Sequence, residues 1–223
     1  LNYLPNTFKY EPLSREPING QRLYLLPDGS KLPSVTTILD KTKSHDAKRK
    51  LENWITKVGT DQADCIKRDA SDRGTLMHRY LEHYVEHGVM YGCDLSHKMA
   101  ETIVQNGFHQ ISTVFGQEVP LYFPGIYAGT SDLVCEHDGE IIIGDYKQSN
   151  KPKKREWIGD YFMQIAAYAE AHNEIHGTNI SRGVIFMCTP SLEYQEFILE
   201  GRGFIKFRNM WWDRVTRYYQ NFA

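Results

Sequence analysis

Apolar and polar positions change their rhythm near the middle of the chain. Residues 127–136, 140–146 and, before them, 117–123 alternate or run apolar between turn residues, which predicts strands. Residues 183–188 and 194–199 predict two more. Between these groups, 157–176 carries apolar residues at helical spacing. Phe204, Phe207, Trp211, Val215, Tyr218 and Phe222 close the chain as an amphipathic helix. The first half reads differently. Segments 22–26 and 31–35 flank Pro27-Asp28-Gly29-Ser30 as a small hairpin. Helices are then expected from 36–39, from Asp46 as cap to Val58 with Leu51, Trp54 and Ile55 inward, over 62–87 with a stop at Gly88, and over 96–115. The fold class expected is α/β: a mixed central sheet flanked by helices, preceded by a helical N-terminal half. The division falls at 1–116 and 117–223, within one compact unit.

Composition narrows the classes. Of 223 residues, 41% are hydrophobic, enough for a sizeable core. The net charge of -2 argues against coating nucleic acid by bulk charge, so any such surface is a local patch. No apolar run suits a bilayer crossing and no signal peptide is visible, so no membrane role is expected. Cys65, Cys93, Cys135 and Cys188 are widely spaced. They read as free thiols of a reducing compartment, with no iron–sulfur cluster. A cytoplasmic setting is expected, or a mitochondrial matrix if a transit segment was removed.

The chemistry is anchored by one turn. His137-Asp138-Gly139-Glu140 fits a two-residue type I′ hairpin, which sets His137 opposite Glu140. Five residues back is Asp132 and five forward is Asp145, so the two aspartates oppose each other on one face. Opposed residues have Cβ atoms roughly 4.5–5.5 Å apart, and like charges so placed destabilise a sheet. Lys147 shares that face. A hard cation such as Mg²⁺ would reconcile the acids, and a neighbouring lysine could orient a water and offset phosphate charge. The set suits metal-assisted phosphodiester hydrolysis.

Gly129-Thr130-Ser131-Asp132 followed by Asp145-Tyr146-Lys147 resembles the core motif of the PD-(D/E)XK nuclease superfamily. Gly74-Thr75-Leu76-Met77-His78 resembles the helical Gly-x-x-x-His motif of its RecB-like exonuclease branch, and Gln164-Ile165-Ala166-Ala167-Tyr168 the Gln-x-x-x-Tyr motif. Leu32-Pro33-Ser34-Val35-Thr36 and Tyr127-Ala128-Gly129 also look like stretches of that branch. The resemblance implies a restriction-endonuclease-like core and a DNA exonuclease preferring single-stranded ends. It implies Mg²⁺ or Mn²⁺, as one or two ions, held by Asp132, Asp145, the Tyr146 carbonyl and His78. Glu118 is either an added ligand or an exposed strand residue. Lys147 would position the attacking water, and Gln164 and Tyr168 would lie beside the nucleic-acid backbone, with Arg73 among the DNA-binding residues. The helical half would form part of a DNA channel, and the protein would act as a monomer. The second acid is aspartate where glutamate is common, which shortens its reach.

Other features keep two readings each. Ser34 and Thr36 either donate to phosphates or cap the following helix. Lys151, Lys153, Lys154 and Arg155 form either a backbone clamp or a solvated loop. His83-Tyr84-Val85-Glu86-His87 matches an inverted zinc-peptidase signature, though no third ligand stands out. A nuclease fold used only for binding DNA is the remaining alternative.

Overall fold

The computed structural model describes residues 1–18 and 21–222. Its elements are β1 (Asn2–Tyr3), β2 (Ser14–Ile18), β3 (Gln21–Leu25), β4 (Lys31–Pro33), α1 (Val35–Lys41), α2 (His45–Val58), α3 (Thr60–His87) and α4 (Leu95–Gly107). Then come β5 (Ile111–Phe123), β6 (Tyr127–His137), β7 (Glu140–Gln148), α5 (Gly159–His176), β8 (Gly183–Cys188), β9 (Tyr194–Leu199) and α6 (Gly201–Asn221). The α/β class, the mixed sheet and the helical first half all hold. The main sheet runs β1-β5-β6-β7-β8-β9, with β1 parallel to β5, β7 parallel to β8, and the other pairs antiparallel. A second sheet, β2-β3-β4, lies beside it.

The alternation along each strand sorts the core into two layers. Val119, Val134, Ile143, Ile185 and Met187 face α1, α5 and α6. Leu133, Ile142, Tyr146, Val184 and Phe186 face α3 and α4. Helix α1 belongs to the first layer, because Val35 and Ile38 are fully buried there. Burying each such side chain contributes about 1.5–3 kcal/mol, which fastens the N-terminal segment to the sheet.

Several boundaries differ from the sequence reading. Ser44, not Asp46, caps α2, its side chain accepting from the Ala47 amide. Helix α2 packs against α3 and buries none of its residues; Leu51 is exposed, and Trp54 and Ile55 are half-buried. The helix expected over 96–115 ends at Gly107. A Cβ there would sit 2.4 Å from the Tyr194 hydroxyl, so the chain needs glycine for this close approach. A 3-10 turn over Phe108–Gln110 follows, and β5 starts at Ile111 and runs across the 116/117 boundary. Strands β1 and β2 were not anticipated; they are short or flanked by prolines, and the pairing of β1 with β5 is long-range.

Candidate metal and phosphate site

The hairpin turn fixes the site's geometry. Asp138 and Gly139 have φ of 51° and 81°, as a type I′ turn requires, and His137 pairs with Glu140. The register therefore sets Asp132 against Asp145, but the ladder stops one step earlier, at Leu133–Gly144. Beyond it β7 continues along β8 while β6 continues along β5. The two strands part, and the Tyr146 amide, which has lost its strand partner on β6, donates instead to Asp132 Oδ2 at 2.8 Å. Asp132, Asp145 and Lys147 face the α5 layer by parity with Val134 and Ile143.

His78 enters from the other layer through the same gap. Its Nε2 meets the Tyr146 carbonyl at 2.9 Å. A carbonyl only accepts, which places the ring proton on Nε2 and leaves a lone pair on Nδ1. Nδ1 lies 3.8 Å from Asp132 Oδ2. Burial, followed by the Lys147 charge, lowers the His78 pKa and favours the neutral ring. Met77, Leu81 and Val85 hold this face of α3 in the core.

Glu118 completes the cluster. It stands opposite Asp132 in the β5–β6 register, between the pairs Gln117–Leu133 and Val119–Ser131. Its φ of 46° lies in the left-handed region, a conformation that costs about 1–2 kcal/mol for a residue with a Cβ. One ligand atom each from His78, Glu118 and Asp132 lies within 4.8 Å of the others. Glu118 is exposed at the rim of the cluster, and its pKa is raised by partial desolvation and by the Asp132 and Glu82 carboxylates, against the Arg15 and Lys147 charges. Asp145 is raised to about 6 by burial, against the lowering effect of Lys147 and with the repulsion of Asp132. Asp132 is raised by burial too.

Lys147 Nζ lies 2.6 Å from both Asp145 oxygens, in hydrogen-bonding geometry to Oδ1. Asp145 is buried, and this ion pair closes its carboxylate. Around His78, Glu118 and Asp132, two carboxylates and one imidazole brought together in this way are a donor set that suits a divalent cation.

Around the cluster the expected residues divide. Gln164 Nε2 donates to the Tyr168 hydroxyl at 3.2 Å, and both line a hollow with Asp132, Glu118, Thr36 and Ser34. Ser34 is buried and occupied as the cap of α1: its Oγ accepts from the Thr37 amide at 2.9 Å and bonds two threonine hydroxyls. Of its two readings, capping is the one its contacts carry, while Thr36 is exposed. Arg73 ties α3 to the end of β7 through Gln148 at 3.1 Å and through Asn150. Of the cations after β7, Lys154 and Arg155 have their side chains engaged outside the cluster. Gln195 clasps the Lys153 backbone, Lys154 lies over the Trp157 ring, and Arg155 donates to the Ile198 carbonyl. Lys151 is exposed. His83 and His87 stack at the surface with each Nδ1 on a backbone carbonyl. Among the described residues no third His, Cys, Asp or Glu joins them as a metal group.

Three site residues escaped the sequence reading. Glu82 lies one helical turn beyond His78, and that spacing was a usable signal. Tyr161, with its ring centroid 5.2 Å from Lys147 Nζ, shares a face of α5 with Gln164 and Tyr168 at i, i+3 and i+7. Arg15 reaches the site from β2, and nothing local announces it.

No family model matches the chain. The solved structure of SSO0001 aligns with 15% identity over 65% of this chain and 74% of that one, at a TM-score of 0.32. Among curated proteins, mitochondrial genome maintenance exonuclease 1 of Homo sapiens is 26% identical over 166 residues, covering 67% of this chain. The match takes in 46% of that protein, so the chain spans about half the length of the curated relative it resembles.

Proposed function

We propose that the protein is a divalent-metal-dependent nuclease that hydrolyses DNA phosphodiesters from single-stranded ends. The distant likeness to a protein named as an exonuclease suggests the nuclease part. The observation that carries the reading is the convergence of His78, Glu118 and Asp132 on a gap in the sheet, with the Asp145–Lys147 pair beside them. In the PD-(D/E)XK pattern these would be the metal ligands and the lysine.

A bound Mg²⁺ or Mn²⁺ supplies Lewis-acid polarisation of a phosphoryl oxygen. The protein's own residues do the remaining work. Asp145 holds the Lys147 ammonium in place, and the Tyr161 ring backs it. That ammonium orients the attacking water and offsets the charge that grows on the phosphoryl oxygens. His78 holds the Tyr146 carbonyl in the gap, leaving Nδ1 free to bind. Gln164 and Tyr168 would flank the nucleic-acid backbone, with Thr36 lining the same hollow. Helix α2, unburied and carrying Lys48, Arg49, Lys50 and Lys57, would form part of the wall of a channel for the strand.

The test is degradation of end-labelled linear and circular single strands with Mn²⁺ or Mg²⁺. Cleavage of linear strands, abolished by EDTA and by Lys147→Ala, supports the reading. Cleavage that persists in EDTA overturns the metal mechanism, and rapid cutting of circles overturns the requirement for an end.

A further inference from the structure

We infer that Arg15 binds a backbone phosphate of the DNA strand, the one next to the phosphodiester being hydrolysed; the inference rests on the nuclease reading above. Strand β2 carries Arg15 over the site, and its side chain borders both hollows that meet at Glu118. Its Nη2 donates to Thr130 Oγ1 at 2.6 Å. The Tyr24 ring lies 5.2 Å from its Cζ, and the Tyr24 hydroxyl shares the same Thr130 oxygen at 3.0 Å.

These partners orient the guanidinium without neutralising it. A guanidinium has five N–H donors in a planar fork, and Thr130 takes one. Among the described residues Arg15 forms no ion pair within 4.0 Å. The contrast within the fold is clear. Arg182 faces Asp138, Glu140 and Glu200, Arg214 holds Asp160, and Lys147 is held by Asp145. Arg15 is exposed and its anchors are a hydroxyl and a ring, so its charge is directed at the acidic cluster, where it acts on Glu118, without being closed off by an ion pair. A planar fork recognises carboxylate and phosphate alike, and phosphate is the one that this cluster, loaded with a cation, would share.

The position matches the register. Thr130 is two residues from Asp132 on the same face of β6, about 6–7 Å along the strand. A phosphodiester seated at Asp132 therefore brings its neighbouring phosphate to the Arg15 fork.

The test is a methylphosphonate scan, in which single linkages of a DNA single strand are made neutral one at a time. Wild type, Arg15→Ala and Arg15→Lys are compared in Mn²⁺. Arg15→Ala is expected to lower kcat/KM about tenfold to a hundredfold on unmodified DNA, as loss of a charge-assisted contact does. Arg15→Lys should recover part of it. One neutral linkage adjacent to the cut should penalise wild type by a similar factor and leave Arg15→Ala unaffected. An unchanged kcat/KM in Arg15→Ala, or an equal methylphosphonate penalty in both proteins at every position, overturns the assignment. If Arg15→Ala does not fold by circular dichroism, the scan on wild type and Arg15→Lys still decides: no penalty at any linkage beside the cut overturns it. A wild type that cleaves no DNA sinks the nuclease reading together with this inference. An active wild type with an indifferent Arg15→Ala sinks only the inference.

Discussion

The Lys147 ammonium lies 2.6 Å from each oxygen of the Asp145 carboxylate, and the two residues sit two apart on one strand. The pKa of Lys147 is raised by Asp145 and Asp132 despite its burial, so it stays charged. Lys147→Ala is expected to lower turnover about 10²–10³-fold, in the range typical of a lost charge-stabilising donor. Steady-state kinetics on end-labelled strands checks this loss of charge stabilisation and water positioning, with binding in Ca²⁺ as the control that the strand still docks.

Asp132 carries the opposite expectation for stability. Its folded pKa is raised by burial, so the charged form is disfavoured in the native state. That penalty is absent below the unfolded carboxyl pKa and grows as pH rises through the folded one. Asp132→Asn removes the charge, and its side-chain oxygen can still accept from the Tyr146 amide. At pH 8 in EDTA the variant should melt above wild type. Adding Mn²⁺ should reverse the order, because a ligand present at 100 times its Kd stabilises by about 2.7 kcal/mol and the variant binds it poorly. Differential scanning calorimetry with and without Mn²⁺ reads both effects; a wild type indifferent to Mn²⁺ contradicts them.

Gly129 is a packing prediction. A Cβ there would come 2.5 Å from Tyr168 Cε1. Gly129→Ala should push the Tyr168 ring out of place, costing about 1–3 kcal/mol as overpacked sites do. A urea melt checks the stability. Kinetics should show weaker strand binding, since Tyr168 lines the hollow beside Asp132.

The fourth prediction concerns acid. His172 is fully buried between Tyr10, Phe8 and Thr178. Burial drives its pKa down to about 3. The unfolded histidine takes up a proton near pH 6.5 while the folded one resists, so stability is full above pH 6.5 and is lost progressively as pH falls towards 3. The slope from this one group is up to about 1.4 kcal/mol per pH unit. His172→Gln should melt with a shallower dependence on pH between 6.5 and 4, and an identical slope would remove His172 as a source.

What the sequence disclosed follows the range of the forces involved. The Asp138-Gly139 turn is local, and from it the opposition of Asp132 and Asp145 could be counted. The position of His78 on the edge of its helix was equally legible. The stop of the ladder at Leu133–Gly144 was not, because it depends on β7 changing partners to β8, a pairing remote in sequence. The orientation of Arg15 had the same obstacle: it depends on where the β2–β3 hairpin docks. Ser34 shows a third case, in which the residue was noticed and both of its roles were plausible until its hydroxyl was seen to be engaged at the helix start.

The parting of β6 from β7 also bears on the order of assembly. A hairpin of neighbouring residues forms early, whereas β8 arrives only after α5 has crossed over, and such long-range pairings are slow. The nascent hairpin alone lacks the fork that admits His78. The approach of His78 to Asp132 is therefore completed late, when the crossover closes, so a half-made chain carries the acids before their imidazole neighbour is in place.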